Sequence, residues 1–325
     1  MLKRLGIALF TICTSLILTF LVIQLMPGDP VETMVQAIIQ TESIPIEMAR
    51  ERAKSTLNYD PDVPLATRFV KYATGIITGN LGESMVYRKP VSKIVFDALP
   101  WTLLIVSASL LLSFAIGVLM GVYIAWKRKR SLNTALAVYQ SVFGVVPEYI
   151  IAYILIIIFA VKLEWLPSRG AYSSSVTPGF NAAFILNVIK HSVLPVMSNF
   201  IVAVAGWTMS MKANSLSVLG EDYITYAKAR GLSERRIITS YVGRNAILPV
   251  ITSLAISFGA FFGGSPLLEG LFLYPGVGLY LSGALTARDY PLMQGMFFLI
   301  IVTVVLSVLL AEYIYIRINP RLRER

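Results

Sequence analysis

The stretch PWTLLIVSASLLLSFAIGVLMGVYIAW, residues 100–126, runs for 27 positions without an Asp, Glu, Lys or Arg. About 20 predominantly apolar residues in a helix cross the ~30 Å hydrocarbon core of a bilayer. This stretch alone therefore reads as a membrane span. Five more runs read the same way, at about 6–26, 132–161 with Pro147 inside it, 193–211, 247–268 and 292–316. Backbone polar groups in lipid must pair within their own segment or in a closed barrel. No alternating ten-residue strand pattern occurs, which disfavours a barrel. The predicted fold is an all-α membrane protein of six transmembrane helices.

Composition agrees. Of 325 residues, 56% are apolar and 14% charged, and the mean hydropathy is +0.71. A soluble domain carries about 25% charge, so this chain lacks the charge to cover a water-facing surface. A soluble enzyme, a disordered tail and a secreted disulfide scaffold are all disfavoured. The single cysteine, Cys13, allows no intrachain disulfide. The net charge of +10 reads first as topology, because basic residues mark the cytoplasmic side of a membrane protein, and nucleic acid is not needed to explain it.

The first run follows Lys3 and Arg4 and could pass for a secretory signal. Its apolar part is longer than such a signal needs, and Gln24-Leu25-Met26-Pro27 is not a small-residue cleavage site, so an uncleaved helix is expected. With the N-terminus inside, sixteen of the 28 basic residues fall on the inner side, at Lys3, Arg4, 127–130, within 212–244 and at 317–325. Eight of the other twelve lie in the long 27–98 segment, which also holds nine acids. Both termini are expected to be cytoplasmic.

The chain is expected to divide into a first helix (1–26), an extracytoplasmic helical segment (27–98) and a five-helix core (99–325) with an inner loop at 212–246. Pro27-Gly28-Asp29-Pro30 reads as a turn, Ser43 before Pro45 as a helix cap, and 45–57 and 65–78 as two amphipathic helices, the second ending near Gly79. The segment reads either as a helical cap on the outer surface or as a device that docks or gates substrate.

The inner loop carries the most information. In Gly220-Glu221-Asp222-Tyr223-Ile224-Thr225-Tyr226-Ala227-Lys228-Ala229-Arg230-Gly231, acids open a helix and bases close it, as the helix dipole favours. Gly231 suits the left-handed position after a helix end. Ser233 with Glu234 suits the start of a second helix, and Pro249 marks entry into the fifth span. On physics alone this is either an ordinary basic inner loop or a knob that docks a cytoplasmic partner.

The segment 220–249 resembles the EAA loop of ABC importer permeases, with Thr225, Tyr226 and Ala227 in the Glu-Ala-Ala slots. The nominal glutamate is therefore absent. The 18-residue step from Gly231 to Pro249 resembles the dipeptide/oligopeptide (peptide/nickel) branch, B-type subunit. Further motifs fall in family order: Met26-Pro27-Gly28-Asp29-Pro30, Gly82-Glu83-Ser84, Pro90-Val91, Leu99-Pro100-Trp101-Thr102, Leu166-Pro167-Ser168-Arg169-Gly170, Glu269-Gly270-Leu271-Phe272-Leu273-Tyr274-Pro275-Gly276-Val277-Gly278 and Arg288-Asp289-Tyr290-Pro291.

The resemblance implies a type I ABC importer permease fold in a bacterial or archaeal inner membrane. It implies a heterodimer with a second permease, two ATP-binding cassette subunits that bind ATP and Mg, and an extracytoplasmic substrate-binding protein. The ATPase-coupling residues would be Glu221, Asp222, Tyr223, Thr225, Tyr226, Ala227, Lys228, Ala229, Arg230, Gly231, Leu232, Ser233, Glu234, Arg235 and Arg236. The substrate would be peptide, although oligosaccharide and nickel importers share the scaffold. The Leu-rich Pro266-Leu267-Leu268 departs from the small residues usual there.

No Gly-Lys dipeptide exists, so this chain has no G-x-x-x-x-G-K-[ST] phosphate loop. One histidine, His191, and one cysteine offer neither a thiolate/imidazole metal cluster nor a Ser/His/Asp triad. No chemistry is expected of the chain itself. Among polar groups at membrane depth, Pro147 and Glu148 stand out. Glu148 would meet the cationic end of a peptide in the pathway, or pair with a base or backbone group of the second permease. Glu269 would line the outer vestibule or face water, and Glu312 would snorkel or pair near the inner interface. Gly259, Gly263, Gly264 and Ser265 form a small-residue patch suited to helix packing or, less readily, to lining a pathway. Two other classes, an ion-coupled secondary transporter and a membrane enzyme, would need midplane ionisable pairs or a catalytic cluster that the sequence does not supply.

Overall fold

The computed structural model describes residues 2–26, 30–42, 44–57, 63–261 and 265–318. The expected turn at Pro27-Gly28-Asp29, the Ser43 cap, Gly263, Gly264 and the last arginines lie outside them. Every regular element among the described residues is a helix, and one isolated bridge, between Glu83 and Pro90, lies in the turns that join them. In order the helices are α1 (Leu2–Gln24), α2 (Pro30–Glu42), α3 (Ile46–Leu57), α4 (Leu65–Thr78), α5 (Val91–Lys127), α6 (Arg130–Phe143), α7 (Glu148–Leu155, continued by a π-helical stretch, Ile156–Lys162) and α8 (Ala182–Leu219). They continue as α9 (Asp222–Ala229), α10 (Glu234–Arg236, continued by a π-helical stretch, Ile237–Gly243), α11 (Arg244–Phe261), α12 (Pro266–Leu271), α13 (Val277–Ala287) and α14 (Tyr290–Ile318).

Five helical segments are long and apolar enough to cross a membrane, and α6 with α7 makes a sixth if the bent pair is one span. That pair bends by 92°. Gly144 closes α6 and Pro147 occupies the cap position of α7 in extended conformation. A proline disfavours helical backbone in the residue before it, so the rod breaks there. The spans keep large apolar side chains exposed, Phe10 at 71% and Leu119 at 72% among them, as lipid-facing surface requires.

Three expectations need correction. The run at 247–268 is not one described helix, because Ser265 is non-helical and α12 starts afresh at Pro266. The fifth span also starts earlier than Pro249, since the continuous helical segment runs Glu234–Phe258. The outer segment holds a third helix, α2, beside the expected α3 and α4. Val31, Val35 and Ile38 of α2 recur at helical spacing and bury against Ala49 and Ala53 of α3.

The chain divides into two compact units. One comprises Met1–Thr102, Gly263–Gly270 and Pro275–Val305. Its core joins Ile23, Val91, Ile94, Val95, Val277, Leu281, Leu292, Met293 and Met296, from α1, α5, α13 and α14. The other comprises Leu103–Phe262, Leu271–Tyr274 and Leu306–Arg325. There Met211, Ala246 and Val250 bury between α8 and α11 and pack on Phe114, Val118 and Val122 of α5. Tyr139 of α6 donates to the Ile201 carbonyl at 2.8 Å, tying the first half of the bent pair to α8.

Candidate functional site

The hairpin formed by α9 and α10 is built around one turn. Gly231 has φ +72°, the left-handed region that glycine enters at little cost. Its N–H donates to the Lys228 carbonyl at 2.9 Å, and the Leu232 N–H donates to the Ala227 carbonyl at 3.3 Å. These two bonds are the Schellman pair, which satisfies carbonyls a helix end would otherwise leave open. Leu232, Ile224 and Ala227 pack on Ile237, Val242, Trp126, Val218 and Leu219. Trp126 Nε1 donates to Glu234 at 3.3 Å, and the Lys228 ammonium stands 5.9 Å from the Trp126 ring centroid.

Two of the coupling residues expected from sequence need comment. Ala227 is buried and anchors the hairpin. Ser233 stands at the α10 cap without a side-chain capping bond. Glu221, Asp222, Tyr223, Thr225, Tyr226, Lys228, Ala229, Arg230, Gly231, Ser233, Glu234, Arg235 and Arg236 are all exposed, Tyr226 at 71%. Partial burial, and then the neighbouring Glu221, push the Tyr223 phenol above its usual value against a lowering bond from Asn245. Ile224 is an anchor that sequence reasoning passed over. Its signal was the apolar pair Ile224 and Ala227 at i, i+3. Because α10 runs without interruption into the fifth span, the second arm of the hairpin is the end of a transmembrane rod.

Glu148 opens α7 and is half-buried. It lines a small cleft, with an empty volume of about 370 Å³ including its open mouth, together with Ser109, Leu110 and Ser113 of α5 and Asn199, Val202 and Ala203 of α8. The hydroxyls of Ser109 and Ser113 donate to the Val106 and Leu110 carbonyls, at 3.1 and 3.0 Å. A hydroxyl has one proton, so what these side chains offer a neighbour is lone pairs. The cavity therefore sets acceptor oxygens beside a carboxylate. Pro147 caps the helix rather than lining this space.

Glu269 is not on an open vestibule wall. It is 3% exposed and its oxygens are engaged: Oε2 accepts from the N–H groups of Gly278 and Leu279, at 2.7 and 3.2 Å, and Oε1 accepts from Thr102 Oγ1 at 2.9 Å. Thr102 Oγ1 in turn accepts from Val277 N–H at 2.8 Å. The first three N–H groups of α13 are thus satisfied from outside, because the cap residue, Gly276, has no side chain to do so. A Cβ at Gly276 would collide with both Glu269 Oε2 and Thr102 Oγ1.

The other motifs also meet in pairs. Asp289 accepts from Leu292 N–H at 3.1 Å to cap α14, and from Ser84 Oγ at 2.5 Å and Val86 N–H at 3.1 Å. Gly170 N–H donates to the Phe272 carbonyl at 2.7 Å. His191 is buried, with Nδ1 2.8 Å from the Asn187 carbonyl and Nε2 3.5 Å from Ser173 Oγ, a structural setting. Among the described residues, no group of three His, Cys, Asp or Glu is placed to hold a metal.

Residues 117–324 match the family of binding-protein-dependent transport system inner membrane components. This match covers the hairpin, the bent span and the part of the α13 clamp that holds Glu269, but not Thr102. The chain belongs to that family. It is 33% identical, over 94% of its own length and 93% of the relative's, to the probable peptide ABC transporter permease y4tP of Sinorhizobium fredii. It is 30% identical to the di/tripeptide transport system permease DppB of Pseudomonas aeruginosa, over 99% of this chain and 98% of that one. The oligopeptide transport system permease AppB of Bacillus subtilis is 30% identical over 94% and 93%. As a family member the chain is the membrane permease component of an ABC import system.

Proposed function

We propose that this permease forms, with a second homologous permease, the translocation pathway for peptides. An extracytoplasmic binding protein delivers the substrate. Two separate ATPase subunits, which hold ATP and Mg, drive alternating access through residues 221–236. Both termini face the cytoplasm, as the sixteen inner basic residues favour. The observation that carries the reading is the exposed, glycine-set hairpin whose second arm continues into the fifth span. Closure of the ATPases would draw such a hairpin inward, and a helix that does not break would pass the motion to the gate. The peptide assignment leans on the relatives' names, which speak of dipeptides, tripeptides and oligopeptides.

The test is to express the chain with its candidate partners and purify by a tag on this chain. Two ATPases and a second permease should co-purify, and ATP hydrolysis should rise when peptide-loaded binding protein is added. Absence of any ATPase from the purified material would refute the reading.

The cavity at Glu148 supports a place for this residue in the pathway. Ser109, Ser113 and Asn199 offer acceptors and Glu148 a negative charge, which together suit an ammonium group with three N–H donors. Glu148→Gln should keep normal abundance and slow uptake of peptides with a free amino end roughly tenfold or more. That follows from the ~1.5–3 kcal/mol of a hydrogen bond to a charged group. Unchanged uptake of every peptide would remove Glu148 from the pathway.

A further inference from the structure

A second cavity lies within the unit that holds α1, α4 and the start of α14, with an empty volume of about 730 Å³ including its open mouth. Its polar lining is rich in donors: Arg68, Lys71, Tyr72, Asn80, Gln24 and Gln294, with no Asp or Glu among the lining residues. Arg68 and Lys71 are three apart on α4, so they rise from one face of the helix. Arg68 Nη1 donates to Gln24 Oε1 at 2.7 Å, which ties the guanidinium to the last residue of α1. The Tyr72 hydroxyl is buried and makes no hydrogen bond among the described residues. Its ring stacks on Phe20, centroids 5.5 Å apart, so its direction is fixed. Burial pushes the phenol up to about 12, which keeps the proton on it. A buried hydroxyl without a partner costs free energy unless a ligand or water takes its proton.

The place of the cavity says what the ligand is attached to. Gln24 ends a membrane span, so the cavity stands at the level of lipid headgroups. On α1, Ile17 and Phe10 stand seven and fourteen residues before Gln24, on the same face, and are 43% and 71% exposed, a wall for acyl chains. On α4, Leu65, Val70 and Ile77 are also exposed. An amphipathic helix with an exposed apolar face and basic residues beside it lies in the interface and favours anionic lipids.

We propose that this cavity holds the phosphate group of an anionic phospholipid, with Arg68 and Lys71 as counter-charges and the Tyr72 hydroxyl as a further donor. The acyl chains lie along the exposed face of α1. The lipid thereby fastens the extracytoplasmic helix α4 to the first span.

The test uses the whole transporter purified in a neutral detergent. Its thermal midpoint is followed while dioctanoyl phosphatidylglycerol, dioctanoyl phosphatidylcholine or inorganic phosphate is added, and native mass spectrometry counts retained lipid. Phosphatidylglycerol should raise the midpoint by about 5 °C, as a ligand of the folded state does. It should remain bound in the mass spectrum, while phosphatidylcholine and free phosphate have much smaller effects. In Arg68→Gln/Lys71→Gln the phosphatidylglycerol effect should fall at least about fivefold. Tyr72→Phe keeps the ring stack and should weaken apparent affinity by about three- to tenfold. That single variant serves if the double variant does not assemble. An equal rise in the double variant, or an unchanged affinity in Tyr72→Phe, overturns the site. An equal rise with inorganic phosphate overturns the lipid assignment, and an equal rise with phosphatidylcholine overturns the preference for an anionic headgroup.

Discussion

Replacing Gly231 by valine is expected to leave the permease inserted at near-normal abundance and to remove most of its transport. The reason is the backbone. Nothing lies within 4 Å of the place a Cβ would take at Gly231, so the new side chain meets no wall. The φ of +72° is the obstacle. An L-residue pays roughly 1–2 kcal/mol there, and a β-branched one is a genuine outlier. Relief comes when the turn relaxes to negative φ. That breaks the Gly231 and Leu232 bonds to Lys228 and Ala227, and re-aims α9 against α10. Insertion depends on the spans and is untouched. Asparagine tolerates the left-handed region, so Gly231→Asn should keep most of the activity that valine loses.

The measurement is substrate-stimulated ATP hydrolysis and peptide uptake in proteoliposomes, beside the amount of permease in the membrane. Coupled hydrolysis should fall at least about tenfold in Gly231→Val while the basal rate of the assembled ATPases persists. Wild-type coupling in that variant would mean that the hairpin does not carry the stroke, and would return residues 221–236 to an ordinary basic loop.

The membrane spans were legible because 20 apolar residues in a row have few other uses. Gly231 was legible because a glycine after Lys228-Ala229-Arg230 follows the rule for helix ends. The break at Pro147 was visible, but a bend as large as 92° was not, because local sequence gives the site of a break and tertiary packing gives its angle. The helix α2 was hidden by the prolines before it, although Val31, Val35 and Ile38 carried its period. The roles of the carboxylates were the least legible. Glu148 is an acid inside one apolar run and Glu269 an acid at the end of another. One faces a cavity and the other is enclosed, and the difference lies in Thr102, 167 residues from Glu269. Nor does sequence pair Ser84 with Asp289, 205 residues away. Loss of a paired donor or acceptor separates the two kinds of acid by experiment.

Glu269→Ala should therefore behave unlike Glu148→Gln, by lowering the amount of folded permease rather than its rate. The alanine leaves the N–H groups of Gly278 and Leu279 and the Thr102 hydroxyl without their acceptor, inside a site where Glu269 is 3% and Thr102 0% exposed. Each buried donor so orphaned costs about 1–3 kcal/mol, so the thermal midpoint of the complex should fall by about 5 °C or more. Glutamine is nearly isosteric but sets an NH2 against donors on one side, so it should lose part of the same stability. Fluorescence-detected size-exclusion of the detergent extract and a thermal melt read both variants, and wild-type abundance and midpoint in both would dismiss the clamp. Gly276 supplies an independent check. An alanine there collides with the Glu269 carboxylate and the Thr102 hydroxyl. Gly276→Ala should be costly beside Glu269 and less so beside alanine at 269. Residues in contact depart from additivity by about 0.5–3 kcal/mol. A non-additive pair of that sign would tie the glycine to the carboxylate it makes room for.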